Sequence, residues 1–144
     1  RISDNHGFGL HVHTGAEIDV DCCDVLRNGQ AGIGITGGDA KVKDESDNPK
    51  LSLATVKTCR VLGNEWQAIV VYDGSLTCED SDLRRNTRHS VTLTCSSVQV
   101  NLSLDKNGEF LDVEYYNALS MTGTVKLVGN KGVSANGDNE ISFA

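Results

Sequence analysis

A repeat of about 22 residues runs through the chain and constrains its fold more than any other feature. Six asparagines recur at spacings of 23, 36, 22, 21 and 23 residues, namely Asn5, Asn28, Asn64, Asn86, Asn107 and Asn130. An aliphatic residue stands three positions before each of them. Self-similarity at such a period marks a solenoid, in which each repeat buries its apolar face against its neighbours. The sequence therefore predicts about six stacked coils.

Alternation within each repeat indicates strands. Residues 9–13 place Leu10 and Val12 on one face and His11 and His13 on the other, which is the period of a half-buried strand. The aliphatic spacing before the asparagines also fits a leucine-rich repeat. That repeat needs an apolar residue two positions after the asparagine, where this chain has Gly7, Gln30, Trp66, Arg88 and Glu109. We therefore predict an all-β fold, a right-handed parallel β-helix.

The recurrent Asn-x-x-x-Gly-Ile-x-Ile coil, seen at Asn28 to Ile35, resembles the parallel β-helix repeat of the pectate-lyase-like superfamily. It is most similar to the group that contains carbohydrate-binding proteins and sugar hydrolases. The resemblance covers nearly the whole chain and is specific for fold rather than function. It implies that a substrate groove would follow the outward residues of one sheet. Neither the acidic calcium cluster of the lyases nor the paired aspartates of the hydrolases is found.

The repeat also sets the expected domain organisation. Residues 1–144 form a single β-helix domain, and because the repeat is already running at Ile2 we expect the chain to be a piece of a longer protein. The long spacing is explained by an inserted loop at 43–52, which holds the only proline. Strands of coil two are expected up to residues 40–43. An irregular cap is expected at 134–144.

The six asparagines are interpreted as a structural ladder. A stacked amide can pair the backbone groups of a buried corner while bonding the asparagines of the coils on either side. Asparagine also tolerates the left-handed backbone conformation that such a corner requires. We expect this role for all six.

Charge and cysteine content limit the possible partners. The net charge of −7 argues against nucleic acid and anionic membranes, because both need a basic surface. No apolar run is long enough to span a bilayer. The five cysteines are an odd number, and Cys23, Cys59 and Cys78 fall on core positions. They are interpreted as reduced structural thiols, which favours a reducing, intracellular compartment.

The candidate binding residues are His11, His13, Thr36, Trp66 and Tyr72. All but Trp66 lie on the outward side of the strand that follows each asparagine. Trp66 is expected at the corner of coil three, where with Tyr72 it would offer a platform for stacking a sugar. The two histidines have a spacing that suits a metal, but no third ligand stands beside them, so neither a metal site nor a catalytic group is predicted.

Two charged clusters are interpreted as structural. Glu17, Asp19 and Asp21 form an acidic row that we expect to pair with Lys41 and Lys43 of the next coil. The basic cluster is expected to form salt bridges with Asp80 and Asp82; its members are Arg84, Arg85, Arg88 and His89.

The favoured hypothesis is a non-catalytic β-helix module that binds a polysaccharide or a protein partner along one sheet face, with no cofactor. The first alternative is a polysaccharide lyase, hydrolase or epimerase whose site lies partly outside this chain, and calcium is expected only in that case. The second is a structural solenoid that associates end to end through its open strand edges.

Overall fold

Thirteen strands form three parallel sheets in the computed structural model, which describes residues 1–37, 43, 45–47, 50–72, 74–95, 97–101, 113–117 and 124–130. Sheet 1 contains β1 (Ile2–Ser3), β4 (Asp24–Leu26) and β7 (Arg60–Leu62). Sheet 2 contains β2 (Leu10–Val12), β5 (Ile33–Thr36), β8 (Ile69–Tyr72), β10 (Val91–Cys95) and β12 (Val113–Asn117). Sheet 3 contains β3 (Glu17–Asp21), β6 (Ser52–Lys57), β9 (Gly74–Glu79), β13 (Thr124–Val128) and β11 (Ser97–Asn101). No helix in this part of the chain is long and apolar enough to cross a membrane.

Strands of successive coils pair in parallel and in register. Ile33 lies beside Ile69, which lies beside Val91, so one inward position of sheet 2 is aliphatic in three successive coils. The inward residues of the three sheets meet in one core, whose largest fully buried members include Ile33, Ile35, Ile69, Leu76 and Leu83. The predicted parallel β-helix is confirmed.

The first corner of each coil joins sheet 1 to sheet 2 and carries the asparagines. Asn5 Nδ2 donates to Asn28 Oδ1 at 2.9 Å, Asn28 Nδ2 to Asn64 Oδ1 at 2.9 Å, and Asn64 Nδ2 to Asn86 Oδ1 at 2.9 Å. The backbone N–H of each donor residue bonds the same oxygen. Each amide oxygen thus accepts two hydrogen bonds from the preceding coil.

The asparagines are not the residues with left-handed backbone, contrary to the prediction. The residue before each one has positive φ instead: Asp4, Arg27, Gly63 and Arg85. The left-handed residue makes the turn. The asparagine that follows it directs its side-chain amide along the stack of coils.

A second corner, from sheet 3 to sheet 1, repeats this arrangement with other side chains. Its left-handed residues are Cys22, Thr58, Asp80 and Gly129. After Thr58, Asp80 and Gly129, the next residue supplies an acceptor to the coil stacked before it. Cys23 N–H donates to Cys59 Sγ at 3.4 Å, Cys59 N–H to Ser81 Oγ at 3.1 Å, and Ser81 N–H to Asn130 Oδ1 at 3.0 Å.

The third strand of coil two lies later in the chain than predicted. β3 pairs with β6, so that Asp19 lies beside Thr55 and Asp21 beside Lys57. The positions beside the acidic row therefore belong to β6 and not to the predicted segment 40–43, of which Lys41 lies outside the described residues. The extra residues of the long repeat fall between β5 and β6, and the alternating residues of β6 fit the sheet where the prediction placed 40–43.

The end of the chain does not stack in sequence order in sheet 3. β13 lies between β9 and β11, with Val125 beside Leu76 and Leu127 beside Cys78. Asn130 is consequently in the second corner, where its Nδ2 donates to Cys78 O at 2.8 Å, and not in the column of Asn86. Asn107 and the predicted cap at 134–144 lie outside the described residues.

Candidate functional site on the outward face of sheet 2

The outward face of sheet 2 brings together the predicted binding residues. His11 lies beside Gly34, and Thr36 lies beside Tyr72. His11 Nε2 is 3.0 Å from Thr36 Oγ1, which joins the first coil to the second across the surface. Tyr72 is 52% exposed and is the exposed large hydrophobic residue of the described part, so its ring is available to a partner.

An aromatic cluster, formed by Phe8, His11, His13 and Trp66, occupies this face. The rings of His11 and His13 are 5.0 Å apart, and those of Phe8 and His11 are 4.8 Å apart. Phe8 also meets the ring of Trp66 edge to face at 6.3 Å. Such contacts hold rings in fixed relative orientation. Trp66, which follows the corner of coil three, is thereby joined to the two histidines of coil one.

Phe8 occupies this position because Gly34 leaves room for it. A Cβ on Gly34 would lie 2.8 Å from Phe8 Cε1, closer than side chains approach one another. The ring of a coil-one residue thus lies close to the backbone of coil two. Sequence reasoning missed Phe8, and the small residue at position 34 within an otherwise β-branched strand was the signal that a bulky group approaches there.

A cationic side chain extends the aromatic cluster on the side of Trp66. The guanidinium of Arg88 lies 5.2 Å from the centre of the Trp66 ring, within cation–π range. Of the predicted basic turn, Arg84 does bond Asp82, with 2.8 Å between Arg84 Nη2 and Asp82 Oδ2. Arg88 instead belongs with the aromatic cluster.

The surroundings of His11 affect its protonation. Partial burial, and secondarily the neighbouring His13, lower the pKa of His11. The neutral imidazole is therefore favoured, and His11 can present one ring donor and one ring acceptor at neutral pH. A neutral ring packed against Phe8 and bonded to Thr36 suits a neutral, hydroxyl-bearing partner.

The register extends this face beyond the residues that the sequence reasoning considered. Glu114 takes the position beside Thr92, and Tyr116 takes the position beside Thr94. Val91 and Val113 are 22 residues apart, one repeat period, but Val113 stands six positions after Asn107 whereas Val91 stands five after Asn86, and this shift concealed the correspondence.

Glu17 of the acidic row on sheet 3 pairs with a lysine other than the predicted ones, as does Glu79 of β9. Lys50 Nζ is 3.8 Å from Glu17 Oε1, and Lys57 Nζ is 3.3 Å from Glu79 Oε2. Within the described ranges, no group of three or more His, Cys, Asp and Glu side chains is arranged to hold a metal ion.

The cysteines differ in their surroundings. Cys22, Cys23, Cys59 and Cys78 carry free thiols, of which Cys22 is exposed and Cys59 and Cys78 are buried. Burial raises the pKa of Cys78 to about 12, so this thiol remains protonated at neutral pH and behaves as a small apolar side chain.

Comparison with known proteins identifies the fold family. The model of the right-handed β-helix region matches residues 1–107, and the chain belongs to this family. Comparisons with curated proteins and with solved structures give no match. The family defines an architecture, and the chemistry has to be argued from the residues on the outward face of sheet 2.

Proposed function

We propose that this chain is a non-catalytic β-helix module that binds a carbohydrate chain along the outward face of sheet 2. The observation that carries the proposal is the aromatic cluster, extended by Arg88 at one end and accompanied by the exposed ring of Tyr72. Sugar rings present apolar C–H faces that stack on aromatic rings, and their hydroxyls bond groups such as Thr36 and neutral His11.

The arrangement of the face favours a polymer over a compact ligand. The aromatic cluster joins residues of coils one and three, and neighbouring strands of a sheet are about 4.8 Å apart. The contacts therefore follow the solenoid axis, and a linear chain lying along that axis would meet Tyr72, Thr36 and His11 together.

The test is affinity electrophoresis and titration calorimetry against a panel of soluble neutral and acidic polysaccharides. Tyr72→Ala should weaken binding about tenfold or more, as the truncation of an aromatic anchor does. Because Tyr72 is exposed, its removal should leave the melting temperature unchanged. Asp19→Asn, on the outward side of sheet 3, is the matched control and should bind like the unmodified chain.

Two outcomes would contradict the proposal. Binding to no polysaccharide of the panel would remove its basis, and a protein captured through the same Tyr72 would favour the protein-partner hypothesis. Equal affinity of Tyr72→Ala and the unmodified chain would place any carbohydrate site elsewhere on the molecule.

A further inference from the structure

Gln67 contains a buried acceptor with no hydrogen-bond partner. The side chain is only 7% exposed, and its Nε2 donates to Thr92 Oγ1 at 2.9 Å. Within the part of the chain that the structure describes, nothing donates to Gln67 Oε1. Folded proteins pair nearly all such groups, so an exception requires a physical reason.

The position of Gln67 relates it to the proposed carbohydrate face. Gln67 is the third residue after Asn64, as Phe8 is the third after Asn5. Phe8 reaches from its corner over Gly34 of the next coil, and Gln67 reaches in the same way to Thr92 of the next coil. Both side chains thus cross from the first corner onto the outward side of sheet 2.

Gln67 also adjoins the strongest stacking group of the face. It directly follows Trp66, whose ring is covered from the next coil by the guanidinium of Arg88. Arg88 is exposed, and a long exposed side chain exchanges rotamers rapidly. A change of the Arg88 rotamer therefore exposes the face of the Trp66 ring without any change in the backbone.

We propose that Gln67 Oε1 is a specificity-determining acceptor, which bonds a hydroxyl group of a sugar stacked on Trp66. This inference rests on the proposed carbohydrate-binding function and assigns a recognition residue to it. The unbound chain already carries the cost of desolvating Oε1, so a hydroxyl donor that reaches it removes an existing penalty. A sugar without that hydroxyl does not, and a site built in this way rejects it.

The experiment compares the unmodified chain with Gln67→Met, which keeps an unbranched side chain of similar length but has no amide oxygen. The probes are methyl glucoside, methyl mannoside and methyl galactoside together with their monodeoxy derivatives, titrated by NMR. In the unmodified chain one deoxy position should weaken binding about tenfold. Gln67→Met should bind the parent glycoside as weakly as the unmodified chain binds that deoxy derivative. In Gln67→Met the parent glycoside and the deoxy derivative should then have equal affinities.

The outcomes separate this inference from the proposed function. Glycoside binding that is lost in Tyr72→Ala but keeps its deoxy pattern in Gln67→Met overturns the role of Gln67 and leaves the carbohydrate face standing. Absence of glycoside binding by the unmodified chain overturns the inference about Gln67, while the polysaccharide panel decides separately whether the carbohydrate face stands. The deoxy series in the unmodified chain needs no variant, so a Gln67→Met protein that fails to fold still leaves a decisive measurement: equal affinities for every deoxy derivative exclude the inference.

Discussion

The two corners of each coil meet the same backbone requirement with different side chains. Both turn through a left-handed residue, and in both, from coil two onward, the next side chain accepts a hydrogen bond from the coil stacked before it. In the first corner that side chain is an asparagine in four successive coils: Asn5, Asn28, Asn64 and Asn86. In the second it is in turn Cys23, Cys59, Ser81 and Asn130.

The difference lies in where each side chain donates. The amides of Asn5, Asn28 and Asn64 donate along the stack to the next coil, whereas the amide of Asn86 donates to backbone carbonyls, among them Val61 O at 2.9 Å. In the second corner Cys59 Sγ donates to Lys57 O at 3.0 Å and Ser81 Oγ to Glu79 O at 2.9 Å, each two residues back in its own coil. The first corner therefore needs a group with a donor and an acceptor at fixed separation. The second needs only a small group that can do both at one atom, which a thiol and a hydroxyl both satisfy.

Replacing an asparagine of the first corner should have the largest effect. Asn64 is fully buried, and its Oδ1 accepts from both the N–H and the Nδ2 of Asn28. Asn64→Leu leaves two buried donors unpaired at about 1–3 kcal/mol each, so the free energy of unfolding should fall by about 2–6 kcal/mol. Urea denaturation measures this.

Asn5→Leu is the control, since Asn5 is exposed in the same column and its side chain is a donor to Asn28 Oδ1. Its loss should be clearly smaller because the substitution leaves no buried donor unpaired, and Asn28 Oδ1 still accepts from the N–H of residue 5. Equal and small losses for the two variants would mean that the asparagine column contributes little to stability.

A change in the second corner should cost less. Ser81→Ala removes the acceptor of a single buried donor, the N–H of Cys59, and the expected loss is about 1–2 kcal/mol in the same denaturation experiment. Cys59→Ser keeps an atom that both donates and accepts, so it should lose less than Ser81→Ala. If Cys59→Ser were the more damaging change, the corner would depend on the volume of sulfur and not on hydrogen bonding.

This comparison also explains what the sequence could predict. The first corner was visible because one residue type fills it and only asparagine supplies both functions at the required distance. The second corner was not recognised as a corner because sulfur, hydroxyl and amide serve equally there. Asn130 was assigned to the wrong column for the same reason: an aliphatic residue three positions earlier, Leu127, fits the core beside Cys78 as well as it fits the predicted column.

The candidate site was partly predictable. Alternation placed His11, Thr36 and Tyr72 outward, and their proximity follows from register once the period is known. Phe8 and Gln67 could not be placed in this way. Their side chains leave the corner and cross to the next coil, and such a contact depends on corner geometry that no periodicity encodes.

Left-handed positions allow a smaller test of the two corners. Thr58 in the second corner and Arg85 in the first have φ of 51° and 59° without being glycine. Relief of that strain is offset in part by the entropy of glycine, so Thr58→Gly and Arg85→Gly should each raise stability by about 0.5–1 kcal/mol. Thr58→Gly should gain more, since β-branched residues tolerate this region worst. Thermal melts give the ranking.

The reciprocal substitution is Gly63→Ala. A Cβ at Gly63 would meet nothing closer than Arg27 Cγ at 3.5 Å, so only backbone strain opposes it, and a loss of about 1 kcal/mol is expected. A neutral Gly63→Ala would show that the first corner can adjust its backbone and would remove the reason for the expected gain at Arg85.

The smallest effect concerns the ion pairs beside the corners and its dependence on pH. Hydrogen bonds from Arg27 hold the pKa of Asp4 below its usual 3.8, and those from Arg60 do the same for Asp24. Because the folded state holds these protons more weakly than the unfolded state, each pair stabilises the fold above about pH 4, and the contribution is lost as the pH falls through the lowered pKa.

Asp4→Asn and Asp24→Asn should therefore be less stable than the unmodified chain at neutral pH, and their stabilities should converge with it in acid. The difference should be larger for Asp24, whose side chain is 29% exposed against 56% for Asp4, because water screens the pair at the first corner more strongly. Denaturant titrations at a series of pH values measure both differences, and a difference that grows toward acid would reverse the assigned sign.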